Sequence, residues 1–351
     1  MSLIKWNEDY LTTLFKLNNT GTLCYLNSLI QCLMSLPAFN ETLVNNYSPE
    51  IGCKNDILQS IYNLYSKNKY RDIPSNEIKT ETTRSVLAAM YRMRMKHQAY
   101  SIGLGSQEDA GEALKFILEC LGDKFAEVFH VSHKMVIKCL KCEKKHMSNN
   151  APTEIFINMS ANNSQIHGEL DNKEAIENHI KICMIAPEDY KCENCDEVNT
   201  KTKSNIRQFY YLSEMSSVLV LSFHGFQHNL INGSYKREAR YFPQTLDFIT
   251  ESKKKLHYKV VAQIEQFGNL NFGHYTANCH KGSQVKIYDE RKQKIQKFMD
   301  RGGNITPSLA AMAAEETPES MVFNLNDNRL KYMPNGVVPS QHTYLVFYHL
   351  V

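Results

Sequence analysis

Apolar and polar positions divide the chain into two textures. Up to about residue 130, apolar residues recur at helical spacing. After Cys24 the stripe Leu26, Leu29, Ile30, Leu33 and Leu36 predicts a helix that Pro37 ends. Ile57, Leu58, Ile61, Leu64 and Tyr65 predict a second, and Val86, Leu87, Met90 and Met93 a third. Ala110, Leu114, Ile117, Leu118 and Leu121 predict a fourth, with Ser106 as its N-cap and Gly122 just past its end. Beyond residue 130, runs rich in β-branched and aromatic residues predict strands over 154–159, 206–212, 217–223, 256–264, 273–280, 284–289 and 343–349. An Asn-rich stretch at 160–175, and 300–320 with Gly302-Gly303 and the Ala/Glu run from Ala310 to Glu316, read as loops or insertions. Helices first and strands second argue for an α+β protein over a doubly wound βαβ one.

Composition narrows the class. The chain has 351 residues, 42% apolar and 22% charged, which suits a globular protein that buries a full core without disulfide staples. Lys plus Arg number 40 and Asp plus Glu 37, a net charge of +3 that gives no footing for a nucleic-acid or membrane-surface partner. The N-terminal segment lacks the apolar core of a signal peptide, and the longest aliphatic run, Val218-Leu219-Val220-Leu221, is far short of the ~20 residues of a membrane span. The 10 cysteines are too sparse for a disulfide scaffold, so the expectation is a reducing compartment, cytoplasm or nucleus.

Four of those cysteines form two C-x2-C units, Cys139-Leu140-Lys141-Cys142 and Cys192-Glu193-Asn194-Cys195. Four thiolates so spaced suit a tetrahedral zinc ion. Such a site is closed by protein ligands, hence structural. The long segment between the pairs implies structure inserted between the two knuckles. Cys183, His146 and His179 are weaker ligand candidates nearby.

Cys24 follows a Gly-containing loop, Leu17-Asn18-Asn19-Thr20-Gly21-Thr22-Leu23, and opens a helical stripe. A cysteine at a helix N-terminus meets the positive end of the macrodipole and unpaired backbone N–H groups, which stabilise the thiolate. Such a nucleophile needs a base. His274 stands where a Gly/Asn loop, Gly268 to Gly273, enters a strand, at the rim of a sheet. The strand ending at Asp289 could return beside it in an antiparallel hairpin and orient the imidazole.

Taken in order, these segments resemble the ubiquitin-specific protease family, papain-like cysteine deubiquitinases. The nucleophile motif matches at Leu17, Asn19, Gly21, Cys24, Tyr25, Asn27, Ser28 and Gln31. The acidic helix motif matches at Gln107-Glu108-Asp109-Ala110-Gly111-Glu112, the zinc fingers at the two C-x2-C units, and the histidine motif at Gly273-His274-Tyr275-Thr276-Ala277. Departures at Lys16, Thr22-Leu23, Gln266 and Val285 leave the proposed triad intact.

The resemblance implies one catalytic domain over 1–351. Residues 1–130 would form a helical thumb, 131–215 zinc-binding fingers, and 216–351 an antiparallel-sheet palm with an insertion near 291–340. It implies that Cys24 is the nucleophile, His274 the general base and acid, Asp289 the orienting carboxylate, and Asn19 the donor to the oxyanion. Asp109 and Glu112 would hold the basic tail of ubiquitin; the alternative for Asp109 is a capping residue that reaches back to Ser106. Cys139, Cys142, Cys192 and Cys195 would hold structural zinc, with no cofactor for catalysis. The partners implied are ubiquitin, ubiquitinated proteins and a recruiting or activating protein, with the enzyme itself a monomer. Two other readings stay open: a catalytically weak ubiquitin-binding scaffold, and a protease for a ubiquitin-like modifier.

Overall fold

Residues 14–68, 78–94, 103, 106–148, 153–159, 172–185, 189–200, 205–223, 226–228, 235–237, 241–249, 253–268, 273–282, 295–297, 299–302 and 320–351 are described by a computed structural model. In chain order the elements begin with β1 (Lys16–Leu17), α1 (Cys24–Leu33), α2 (Pro37–Asn46), α3 (Pro49–Gly52), α4 (Asp56–Asn68), β2 (Thr80–Glu81), α5 (Arg84–Arg94) and α6 (Ala110–Leu121). There follow α7 (Asp123–Ala126), β3 (Val131–Cys139), β4 (Lys145–Ser148), β5 (Thr153–Glu154), β6 (Phe156–Asn158), α8 (Lys173–Lys181), β7 (Ile182–Ile185), β8 (Ile206–Met215) and β9 (Val218–Ser222). The remainder are β10 (Phe226–His228), β11 (Tyr235–Arg237), β12 (Thr245–Ile249), β13 (Lys255–Gly268), β14 (Gly273–Gly282), β15 (Ser320–Asn326), β16 (Arg329–Tyr332) and β17 (Thr343–Leu350). No helix among the described residues is long and apolar enough to cross a membrane.

The chain divides into two units. The first joins Met1–Gly122 to Val261–Val337; the second joins Asp123–Val260 to Val338–Val351. The first unit therefore unites the N-terminal helices with strands from the last third of the chain. The reason is α1. All of its residues are buried, so its polar positions need partners as much as its apolar ones. Gln31 donates from Nε2 to the Phe15 carbonyl at 2.8 Å. The fully buried Lys281 of β14 donates to the Gln31 carbonyl and Oε1 at 3.1 and 3.2 Å. The thiols of Cys32 and Cys279 meet at 3.8 Å. Pro37 does not simply end the first helical stripe. The helix stops at Leu33, and Pro37 opens α2, where its missing N–H costs nothing.

The sheet of this unit runs antiparallel from the second half of β13 through β14 and β15 to β16. The register pairs Phe267 with His274 and Ala277 with both Ile264 and Leu325. β15 and β16, within 320–332, lie inside the segment expected as an insertion at 291–340 and form sheet. They turn at Asp327, whose φ of 50° is a left-handed conformation that Asp tolerates. Of the expected insertion, 303–319 lies outside the described residues, as does most of the Asn-rich stretch at 160–175.

Among the described residues, the second unit holds the two-stranded β10–β11 sheet and two larger ones. β9 is buried along its whole length and pairs antiparallel with β17 and parallel with β6. Its continuous apolar run is what burial on both faces requires. The other sheet has the order β4-β3-β8-β7, with β5 also on β3. The structure expected between the cysteine pairs is present as β4, β5, β6, α8 and β7.

Candidate active site

Cys24 is the first residue of α1, 2% exposed. The loop before it is organised by Asn19, whose Oδ1 accepts the N–H groups of Gly21 and Leu23 at 3.0 and 3.1 Å. Gly21 turns there at φ 138°, a conformation that favours glycine. Burial alone would push the Cys24 thiol up. Hydrogen bonds with the His274 imidazole, the Tyr275 backbone and Gln107, together with the charge of His274, outweigh it and bring the thiol below its ordinary value. Gln107 Nε2 lies 3.0 Å from Sγ.

His274 is the second residue of β14, half-buried at the rim of the sheet as its sequence context predicts. Its Nε2 donates to Asn326 Oδ1 at 2.7 Å, and Asp327 Oδ2 lies 4.0 Å away. The hydrogen bond with Cys24, the bond to Asn326 and the charge of Asp327 outweigh burial and raise the imidazole to about 9. A lowered thiol and a raised imidazole in hydrogen-bond contact each stabilise the charged form of the other.

Asp289, expected as the orienting carboxylate, lies outside the described residues. Among the described residues the group on the imidazole is Asn326, at the end of β15, with Asp327 next to it. Both were missed in the sequence. The available signal was the alternation through Phe323 and Leu325 ending at Asn326-Asp327. Asp327 is itself fixed. Asn19 Nδ2 donates to its Oδ2 at 3.0 Å and Asn27 Nδ2 to its Oδ1 at 2.8 Å, while Asn27 Oδ1 accepts from Thr83 Oγ1 at 2.7 Å. One carboxylate thus ties the loop before the nucleophile, the first turn of α1 and the turn after β15.

Asp109 is the N-cap of α6, and its Oδ1 accepts from the backbone N–H groups of Gly111 and Glu112 at 2.8 and 2.9 Å. The expected cap at Ser106 is corrected. Ser106 instead bonds through Oγ to Glu108, and the helix begins later because Asp109 is the better-placed acceptor. Glu112 is exposed and pairs with Lys115 at 2.9 Å.

In the second unit, the Sγ atoms of Cys139, Cys142, Cys192 and Cys195 all lie within 4.8 Å of one another. Cys139 to Cys195 is 3.6 Å and Cys142 to Cys192 is 3.7 Å. A tetrahedron with Zn–S of about 2.3 Å has edges of about 3.8 Å, so the four sulfurs fit that ion. Two tight turns make the knuckles. Cys139 N–H reaches the Lys144 carbonyl at 3.0 Å, and Asp196 N–H the Cys192 carbonyl at 2.9 Å. Glu197 accepts from Lys141 at 2.9 Å and from Asn205 at 2.8 Å, linking one knuckle to the other. Among the described residues, His146 and His179 are not in the cluster; the Cys183 side chain lies outside them.

A family model described as ubiquitin carboxyl-terminal hydrolase matches residues 15–348. Ubiquitin carboxyl-terminal hydrolase 8 of Saccharomyces cerevisiae is 23% identical over 313 residues, covering 74% of this chain and 62% of that protein. Ubiquitin carboxyl-terminal hydrolase 36 of Drosophila ananassae is 21% identical over 308 residues, covering 79% of this chain and 26% of that protein. The chain thus spans less than two-thirds of the length of either relative. Among solved structures, the SAGA DUB module of Ubp8, Sgf11, Sus1 and Sgf73 bound to monoubiquitin is similar over 100% of this chain and 71% of that chain, with a TM-score of 0.62 and 19% identity. The Ubp8/Sgf11/Sus1/Sgf73 DUB module bound to ubiquitin aldehyde gives a TM-score of 0.61 at 18% identity, over 100% of this chain and 72% of that one. At such identity the likeness is one of fold, and it agrees with the α+β class expected from the sequence.

Proposed function

The chain belongs to the ubiquitin carboxyl-terminal hydrolase family, whose members are cysteine-type hydrolases, and from this we propose that it is a thiol-dependent deubiquitinase cleaving the bond after the C-terminal glycine of ubiquitin. The observation that carries the reading is the hydrogen-bonded pair of Cys24 and His274, with Asn326 on the imidazole. The Cys24 thiolate attacks the glycine carbonyl carbon, forming a C–S bond and an oxyanion. The His274 imidazolium then protonates the leaving lysine nitrogen as its C–N bond breaks. Water, deprotonated by the now neutral His274, attacks the thioester and releases the thiolate. Asn326 holds the imidazole in the tautomer that keeps Nε2 protonated, the orienting role expected of Asp289. Asn19 carries a second amide hydrogen besides the one given to Asp327, and that hydrogen would serve the oxyanion.

Asp109 and Glu112 would take the basic tail of ubiquitin. Cys139, Cys142, Cys192 and Cys195 would hold a structural zinc ion that joins the two knuckles. The similar Ubp8 structures are of complexes with other subunits, and by that parallel a recruiting or activating partner is proposed for this chain too.

The test is intact mass after incubation with ubiquitin bearing a C-terminal thiol-reactive group, for wild type, Cys24→Ala and His274→Ala. A one-to-one adduct in wild type, absent in Cys24→Ala, is expected. A folded, zinc-loaded wild type that forms no adduct would overturn the reading in favour of another modifier or a binding role.

A further inference from the structure

The function above gives no role to Gln107, yet its side chain also touches the nucleophile. Gln107 lies just before α6 and is anchored on both sides. Glu108 Oε1 accepts the Gly103 N–H at 2.9 Å, and Asp109 caps the helix. The Gln107 carboxamide uses both its N–H donors and its oxygen at the site. Nε2 donates to Cys24 Sγ at 3.0 Å and to the Gly273 carbonyl, and Oε1 accepts the Gly273 N–H at 3.2 Å.

Gly273 is the residue before His274. The ladder between β14 and β15 begins only at Ala277, so β15 does not pair with Gly273. Gln107 takes up both its N–H and its C=O, as a neighbouring strand would. On another side the backbone is tight: a Cβ on Gly273 would come within 2.8 Å of the Phe267 carbonyl oxygen.

Resting on the deubiquitinase reading for its consequence but not for its geometry, we propose that Gln107 is a positioning residue that clamps the Gly273 peptide, and with it His274, against Cys24 while donating a hydrogen bond to the thiolate. An amide N–H binds an anionic sulfur more strongly than a neutral thiol, so the clamp favours the ionised pair. A residue that served only to hold the loop would leave the thiol's ionisation where it was.

The experiment is alkylation of Cys24 by iodoacetamide as a function of pH, read by peptide mapping, in wild type, Gln107→Ala and Gln107→Glu. Melting temperature and zinc content serve as folding controls. Glu keeps the size and the acceptor for Gly273 but loses the donor. Loss of one such hydrogen bond is expected to move the alkylation midpoint up by about one pH unit, an about tenfold fall in thiolate at any pH well below the midpoint. Glu should move it further than Ala, because it places a like charge beside the sulfur. An unchanged midpoint in a folded Gln107→Glu or Gln107→Ala protein would overturn the proposal. Because iodoacetamide needs no ubiquitin, a wild type that ignores the ubiquitin probe yet shows the shift would sink the deubiquitinase reading and leave Gln107 in its role.

Discussion

Asp327→Asn isolates the charge near the imidazole while preserving shape. Asp327 Oδ2 stands 4.0 Å from His274 Nε2. Two unit charges at that distance interact by about 1 kcal/mol in water and about 4 kcal/mol at an effective dielectric of about 20. The His274 side chain is 40% exposed and that of Asp327 13%, so screening favours the low end, about 1–2 kcal/mol or about one pH unit. The sign follows from which protonation state the charge stabilises. Asp327 favours imidazolium, so removing it lowers the His274 value from about 9. The shift is partial, because Cys24 and Asn326 remain and Cys24 is the largest contribution. In the proposed mechanism the rate is carried by the thiolate–imidazolium pair, so activity is expected to fall on the alkaline side where the imidazolium loses its proton. The pH profile of kcat/KM on a fluorogenic ubiquitin C-terminal amide should therefore keep its bell shape with the alkaline limb about one unit lower. The height of the bell should also fall, since an amide there cannot accept from both Asn19 and Asn27. An alkaline limb that stays near 9 in a folded, active Asp327→Asn protein would refute the electrostatic reasoning.

Asp109→Ala should lose its cap and lower stability by about 0.5–2 kcal/mol, measured by denaturant midpoint. Asp109→Asn should keep the cap but raise KM for ubiquitin substrates if the carboxylate holds the tail; an unchanged KM would restrict Asp109 to capping. Gly273→Ala should force the Phe267 carbonyl away and cost about 1–3 kcal/mol, together with slower ubiquitin-probe labelling, seen by melting and by adduct kinetics. Chelation should release about one zinc ion per chain and lower the melting temperature. Cys142→Ser should bind less metal and melt lower before any chelator is added, and equal zinc in both proteins would exclude the four-cysteine assignment.

The legible parts of the molecule were those whose signal is local. Cys24 at the opening of α1 needed only a loop glycine and a helical stripe. β9, β13, β14 and β17 announced themselves through dense apolar and β-branched runs, and the two knuckles through spacing. Where one residue type serves two purposes, the local signal misled. Pro37 can end a helix or open one, and it opens α2. Ser106 and Asp109 are both good caps, and only hydrogen bonds to Gly111 and Glu112 decide between them. β3 and β15 went unread because lysines and asparagines interrupt their alternation, and their strand character comes from pairing with partners distant in sequence. The same holds for Asn326. It lies 52 positions from His274, whereas the run ending at Asp289 is closer along the chain and drew the expectation. Gln107 was legible as a motif position, but its reach to Cys24 and Gly273 depends on how β14 lies against α1.

The pairing of Asn27 with Asp327 spans 300 positions, and this has a consequence for the order of events on the ribosome. At about 5–20 residues per second, about 15–60 s separate the synthesis of one partner from that of the other. Until β14 and β15 have emerged, the nascent chain carries Cys24 without its imidazole, without Asn326 and without the carboxylate that gathers the surrounding loops. The thiol is then an ordinary one. Activation of the nucleophile becomes a late step of biogenesis, and a chain cut short anywhere before β15 would be inert however well its helices had formed.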